Sequence, residues 1–208
     1  MGERGLCKPE AGGSIPPTST IAFRALVGAF DHYRRGRIEL MADEKHLEII
    51  EKGVKAWNEW RKSDMQVRPD LSGVDLSGRE LKYANFMVTD LSGSNLSKAN
   101  LEQAYMTHAN LSNADMREAN LSRADMRNAN LLDADLSGAY LFESLFVRAL
   151  LVRTAIRGCD MRESVLINAF MQEVDLTGSD LTGSDFTGAK YTGLKIEGTS
   201  GVEKLKIE

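Results

Sequence analysis

The chain of 208 residues contains only two cysteines, four prolines and two tryptophans. Cys7 and Cys159 are far apart, so they predict neither a disulfide framework nor a pair of metal ligands, and we expect a reducing, cytoplasmic location. No apolar run approaches the roughly 18 residues of a membrane span, and no signal-peptide pattern is visible, so we expect no membrane association. The net charge of −4 argues against direct nucleic-acid binding, which needs a basic surface.

The sequence also lacks a recognisable catalytic arrangement. Its three histidines, His32, His46 and His108, are not spaced to share a metal ion. Aspartates are abundant, but most occupy one repeated position, so no two of them stand out as a catalytic pair. The glycines near the C-terminus recur with the same repeat and lead into no helix, which excludes a phosphate-binding loop. We therefore expect no catalytic residue, no cofactor and no metal site, and we predict that the protein is not an enzyme.

What the sequence does contain is a strict period of five. From Leu71 to Ile196, every fifth residue is large and apolar, in twenty-six consecutive cases. The residue two positions before it is Ala, Ser, Thr or Cys in twenty-one of the twenty-six cases. A period of five fits neither an α-helix nor a plain β-strand, and self-similarity over more than half a chain is typical of a solenoid.

The two apolar positions of each five-residue unit are expected to point inward. We call the large residue position i and the small one position i−2; because they are two apart, they lie on the same side of a short extended segment. The intervening and following positions are mostly Asp, Asn, Ser, Arg, Glu and Gly, which suits solvent and tight corners. The sequence therefore predicts a tube whose lumen is filled with hydrocarbon side chains.

Four units per turn give the most consistent stacking, because all three Phe residues at position i then fall in one column. The predicted lumen residues are the six residues of that column together with Leu71, the first residue of the neighbouring column. They are Leu71, Phe86, Met106, Met126, Phe146, Leu166 and Phe186. Such close packing leaves no room for a pocket inside the tube.

Units such as Ala99-Asn100-Leu101 and Ala114-Asp115-Met116 match the A(D/N)Lxx motif, and residues 69–196 resemble the pentapeptide-repeat proteins. The resemblance implies an all-β solenoid: a right-handed quadrilateral β-helix with twenty residues per coil, or about six and a half coils here. Residues 41–70 also resemble the usual opening of bacterial members, which commonly start near the residue matching Met41.

Four segments are predicted: a flexible or dispensable extension at 1–40, a helical N-terminal cap at 41–67, the β-helix at 68–197 and a tail or cap at 198–208. Within the extension, residues 1–20 are expected to be disordered and residues 21–34 to form a short helix. A single helix over 43–62, with Asp43 as its N-cap, is expected to cover the first coil. The predicted cap residues are Leu47, Ile50, Val54, Trp57 and Trp60.

Both ends of the solenoid need cover for their open lumen and unpaired strand edges. At the C-terminal end, Val202, Leu205 and Ile207 are expected to fold over the last coil or to pair with another chain. At the N-terminal end, Arg79 occupies an inward i−2 position and would need a carboxylate partner. Glu51, Glu59 and Glu80 are the candidates for that partner.

Between residues 140 and 170 the outward positions change from polar to apolar. We predict an interface formed by Tyr140, Leu145, Val147, Leu150, Val165, Ile167 and Phe170. Its occupant is either a second copy, giving a homodimer, or a partner protein. Alternatively, residues 197–208 or 21–34 of the same chain cover it.

The function expected from these features is that of a non-catalytic scaffold or protein-binding module. The family resemblance implies an alternative, since well-understood members bind and protect DNA gyrase with an acidic surface that resembles duplex DNA. That alternative is less supported, because acidic and basic side chains alternate along residues 69–196 and leave only a small acidic excess. The repeat also lacks the projecting loops through which some members engage gyrase.

Overall fold

The computed structural model describes residues 42–64 and 66–205. The expectations for the 1–40 extension, for Cys7 and His32, and for Ile207 lie outside these residues. No helix within the described ranges is both long and apolar enough to cross a membrane.

Two short helices precede the repeats: α1 (Glu44–Glu51) and α2 (Val54–Ser63). Asp43 caps α1, as predicted, by accepting hydrogen bonds from the backbone N–H groups of Lys45 and His46. The prediction of one continuous helix over 43–62 is wrong. Gly53 adopts φ +97°, a conformation that other residues rarely adopt, and it separates the two helices.

The repeats wind into a β-helix. Parallel bridges join residues twenty apart, from Asp70 and Asp90 at one end to Asp180 and Ser200 at the other. Leu71 donates its N–H to the carbonyl of Asp90, and Asp90 donates to the carbonyl of Pro69, both at 2.8 Å. Because inward residues are five apart and paired residues twenty apart, four five-residue units complete one turn.

On one side of the β-helix the pairing is long enough to form regular strands. These are β1 (Leu150–Val152), β2 (Phe170–Gln172) and β3 (Lys190–Thr192), in a parallel sheet ordered β1-β2-β3. The register pairs Leu150 with Phe170 and Phe170 with Lys190. A 3₁₀ helix at Val202–Lys204 follows the last turn, and Leu205 behind it is buried.

Each corner of a turn places one residue in the left-handed backbone region. Glycine occupies many of these i+2 positions, but sixteen residues with side chains adopt φ between +52° and +63°. The carbonyl of residue i accepts a hydrogen bond from the residue three later, as in a type II turn. Val88, at φ +60°, is the β-branched member of this set, for which the conformation is least favourable. The corner geometry therefore prevails over local residue preference.

The helical pair supplies hydrogen-bond partners for the backbone edge below the first turn. Asn58 acts like a peptide group: its Nδ2 donates to the carbonyl of Tyr83 (2.9 Å) and its Oδ1 accepts from the N–H of Asn85 (2.8 Å). Trp57 Nε1 donates to the carbonyl of Asn85 at 2.8 Å. Without these partners, that edge would leave strand groups unpaired.

The same edge is also held by α1 and its N-cap. The N–H of Asp43 donates to the carbonyl of Asp70, and the N–H of Asp70 donates to His46 Nδ1. Arg79 finds the carboxylate it was predicted to need, because it forms an ion pair with Glu51 of α1. Its side chain remains 39% exposed, so it lies at the rim rather than in the lumen.

We predict that Asn58→Leu lowers the free energy of unfolding by about 1–3 kcal/mol, because it leaves one N–H and one carbonyl of the first turn without partners. Asn58→Asp keeps the acceptor and loses the donor, so its effect should be smaller. Urea unfolding followed by circular dichroism measures both changes. Glu59→Gln, at an exposed site on the same helix, is the control. Equal stability of Asn58→Leu and the wild type would contradict this role for Asn58.

Candidate functional site

The described residues contain no group of three or more His, Cys, Asp or Glu side chains that could hold a metal ion. His46 is committed to the Asp70 backbone, and His108 lies at an exposed corner with φ +60°. Most Asp side chains accept a hydrogen bond from the N–H two residues later, as Asp90 does from Ser92 at 2.9 Å. These carboxylates therefore have a structural role at the corners.

The predicted lumen residues all lie in the interior. Six of them are 0% exposed: Leu71, Phe86, Met106, Met126, Phe146 and Leu166. Phe186, in the last turn, is 7% exposed. Such close packing gives a substrate no space inside the tube.

The predicted cap residues lie between the helices and the first turn. Trp57 is fully buried, and its ring centroid is 5.6 Å from that of Phe86. Ile50 is also buried, whereas Leu47, Val54 and Trp60 are partly buried against the same core. The helical pair thus contacts the lumen through a tryptophan as well as the backbone edge.

An open groove of about 620 Å³ lies beside the first turns. It is lined by Arg68, Pro69, Asp70, Val88, Thr89, Asp90, His108 and Asn110. Thr89 Oγ1 is buried without a hydrogen-bond partner, whereas Thr154, at the same repeat position, donates to the Leu131 carbonyl one turn below. The missing acceptor reflects the start of the β-helix, where no complete turn lies beneath Thr89.

The outward apolar residues lie on adjacent turns, in two main columns. The Leu145 column contains Asn85, Tyr105, Asp125, Leu145, Val165 and Asp185. The Leu150 column contains Asp70, Asp90, Asn110, Asn130, Leu150, Phe170 and Lys190. Tyr140, Leu150 and Phe170 are 58%, 37% and 42% exposed. Leu145, Val147, Val165 and Ile167 are partly exposed.

These apolar residues replace side chains that normally stabilise the corner. At the i−1 position, Asn or Asp accepts the N–H of residue i+1, as Asn130 does from Leu132 and Asp125 does from Arg127, both at 3.2 Å. Leu145 and Val165 cannot accept such a bond. A hydrogen bond of this kind is worth about 1 kcal/mol, so the substitution lowers stability unless the exposed apolar surface is used elsewhere.

Several charged side chains around the patch are already paired, whereas Arg148, at an exposed corner beside Leu150, has no ion pair among the described residues. Three arginine–aspartate ion pairs lie here: Arg153–Asp133 at 2.6 Å, Arg127–Asp125 at 2.6 Å and Arg162–Asp160 at 2.7 Å. The guanidinium of Arg162 also lies 5.7 Å from the centroid of the Phe142 ring. Hydrogen bonding from Arg153 lowers the pKa of the Asp133 carboxyl below its ordinary value. These three carboxylates are therefore compensated, so the acidic groups here do not form an unbroken anionic surface.

Sequence reasoning missed His46, Asn58 and Arg61 as residues that bind the edge of the first turn. Arg61 is 4% exposed and donates to the carbonyls of Val67 and Met87, both at 2.9 Å. Burial lowers the pKa of its guanidinium, an effect partly opposed by Asp64. The available signal was the polar residues on the side of α2 that faces the first turn. In the sequence alone these residues are indistinguishable from solvent-exposed ones, because the position of the two helices is not known.

The family model described as "Pentapeptide repeats" matches the chain over residues 70–107, 104–141 and 144–193. These stretches cover more than half of the chain. No curated protein matches it.

Several solved pentapeptide-repeat structures are similar at low identity. Rfr23 from the cyanobacterium Cyanothece 51142 is 21% identical, with 69% of this chain and 96% of that chain covered and a TM-score of 0.41. HetL from Nostoc sp. strain PCC 7120, described as involved in heterocyst differentiation regulation, is 20% identical, with coverages of 68% and 92% and a TM-score of 0.28. QnrB1, described as a plasmid-mediated fluoroquinolone resistance protein, is 17% identical, with coverages of 68% and 87% and a TM-score of 0.34.

Cys159 occupies an inward i−2 position, and we predict that its thiol is inert in the folded protein. It is 2% exposed, and burial raises the pKa of the thiol to about 11. Since the thiolate is the reactive form, only about one part in 10⁴ is available near pH 7. In the Cys7→Ser variant, an aromatic disulfide reagent should therefore label Cys159 only after denaturant is added. Fast labelling without denaturant would contradict the burial of this residue.

Proposed function

Since this chain belongs to the pentapeptide repeat family, whose right-handed β-helices are generally non-catalytic structural or binding modules, we propose that it is a scaffold that binds a protein on its outer surface. The observation that supports this most directly is the patch at Leu145, Val147, Leu150, Val165 and neighbouring residues. At Leu145, Leu150 and Val165 the sequence gives up a recurring corner hydrogen bond in favour of apolar side chains that are partly or fully exposed. The tightly filled lumen agrees with a function exerted at the surface.

The proposal includes a four-sided coil of about six and a half turns with α1 and α2 as its N-terminal cap. Its support is the twenty-residue register from Asp70 to Ser200 together with the contacts of Asn58 and Trp57 to the first turn. A cap on this edge would keep other strands from pairing there. The apolar patch would then lie at a fixed distance from the cap along a rigid β-helix.

We predict that Leu145→Asn combined with Val165→Asn abolishes partner capture while the fold is preserved, because Asn is a residue that the repeat commonly places at this position. The measurement is affinity capture from an extract of the source cells, with quantitative comparison of the retained proteins. Ala155→Asn, at the same repeat position in another column, is the matched control and should retain the same proteins as wild type. Identical retention by all three chains would rule out this part of the patch as the binding surface.

Gyrase protection is the second candidate, and the charge distribution argues against it. Duplex DNA carries one negative charge about every 1.7 Å along its axis, and a mimic needs a comparable density of uncompensated charges. Here Asp115, Asp125, Asp133 and Asp160 each pair with an arginine at 2.6–2.7 Å.

We therefore expect no protection of DNA gyrase in a supercoiling assay with ciprofloxacin at micromolar protein. An established gyrase-protecting member of the family serves as the positive control. Restored supercoiling by this chain would favour the second candidate over a scaffold for another partner.

A further inference from the structure

On the outward side of the sheet β1-β2-β3, the first two strands present apolar side chains. Leu150 and Phe170 project from its first two strands and are 37% and 42% exposed. They are directly paired in register, and Val152 continues the apolar surface along β1. In the same column, Asn130 lies below Leu150 and Lys190 lies above Phe170.

The polar surroundings of this surface do not favour a charged partner. Arg153, at the corner that follows β1, forms two hydrogen bonds with Asp133 at 2.6–2.7 Å, so these charges compensate each other. Below Leu150, the amide of Asn130 is bonded to Asn110 at 3.1 Å. The unpaired charge in the column is at Lys190, on one end only. Arg148, at the exposed corner beside Leu150, is a second cation without an ion pair among the described residues, so a suitable partner must place no cation opposite Lys190 or Arg148.

A second copy of the Leu150 column matches this charge distribution when the two columns run antiparallel. The order Asn130, Leu150, Phe170, Lys190 then faces its own reverse. Leu150 of each copy meets Phe170 of the other, and each Lys190 meets an Asn130 side chain, so no like charges meet. Such a self-complementary arrangement is what a two-fold interface requires.

The neighbouring Leu145 column does not have this property. Its order is Asp125, Leu145, Val165, Asp185, so the antiparallel arrangement would bring Asp125 of each copy opposite Asp185 of the other. Like charges facing each other across an interface are unfavourable, and the ion pair of Asp125 with Arg127 reduces this repulsion without supplying an attraction to the other copy. Self-association is thus expected through the Leu150 column, and the Leu145 column remains available to a different protein.

We propose that a second copy of this chain docks antiparallel on the outer side of β1-β2-β3, with Leu150 of one copy against Phe170 of the other. The inference rests on the proposed function, because it assigns one part of the protein-binding surface to self-association. It leaves the Leu145 column for the partner.

The first test measures the mass of the full-length chain at micromolar concentration by light scattering after size exclusion. The wild type should have twice the chain mass of 23.0 kDa. Leu150→Asn combined with Phe170→Asn should raise the dimer dissociation constant about a hundredfold or more, because the four apolar side chains of the two central contacts are lost. Since Asn restores the usual corner bond, the thermal midpoint of this variant should not fall below that of the wild-type chain at equally low concentration. Ala155→Asn should remain dimeric.

The second test examines the direction of docking by thiol cross-linking in the Cys7→Ser background. Sheets that pack face to face lie about 10 Å apart, beyond the roughly 4.4–6.8 Å between the Cα atoms of a disulfide, so the cross-linker is a short bismaleimide. A mixture of the Asn130→Cys and Lys190→Cys variants should form the mixed cross-link faster than either variant cross-links with itself, because these two positions face each other in the antiparallel contact. The buried Cys159 should not compete.

A wild-type chain with the mass of one copy overturns the inference, as does a folded Leu150→Asn/Phe170→Asn variant that stays dimeric. Preferential cross-linking of the Asn130→Cys variant to itself overturns the antiparallel arrangement. A monomeric wild type whose partner capture still depends on Leu145 and Val165 refutes only the dimer. A dimer whose captured proteins are unchanged by the Leu145/Val165 substitutions refutes only the proposed function.

Discussion

The structure depends on backbone hydrogen bonds between residues that are twenty apart. Each five-residue unit donates one N–H to the turn below and others to the turn above, as Asp90 does to Pro69 and Leu71 does to Asp90. A unit therefore has its hydrogen bonds satisfied only when it lies between two others. This requirement fixes the twenty-residue register. It also means that the repeats alone leave backbone hydrogen-bonding groups without partners at the two ends of the β-helix.

At the N-terminal end, side chains from two helices supply the missing hydrogen-bond partners. Asn58, Trp57 and Arg61 bond to the backbone of the first turn with side chains, and His46 does the same from the other helix. Helices present no free edge of their own, so they can close a β-helix without extending it. Their polar side chains replace the peptide groups that a further turn would have supplied.

Much of the fold could be predicted because the period is a direct consequence of the geometry. The large residues from Leu71 onward and the small residue before each of them identify the inward positions, and the pairing lies at the predicted spacing of twenty. The break between α1 and α2 was missed because Val54 and Trp57 continue the apolar spacing across Gly53, whose φ of +97° separates the two helices. The roles of Asn58 and His46 could not be predicted, since they depend on where two helices dock and not on a local pattern.

The same geometry limits where a protein of this kind can encode recognition. Positions i and i−2 are committed to the core, and position i+2 must adopt the left-handed conformation at every corner. Position i−1 is usually occupied by Asp or Asn bonded to the next N–H but one, so its side chain is only partly free. A change from Asn130 to Leu150 and Phe170 along one column therefore costs a structural bond. Leu150 and Phe170 therefore stand where Asn110 and Asn130 stand in earlier turns of the same column, and their exposure is the basis for proposing that this side of the β-helix takes part in binding.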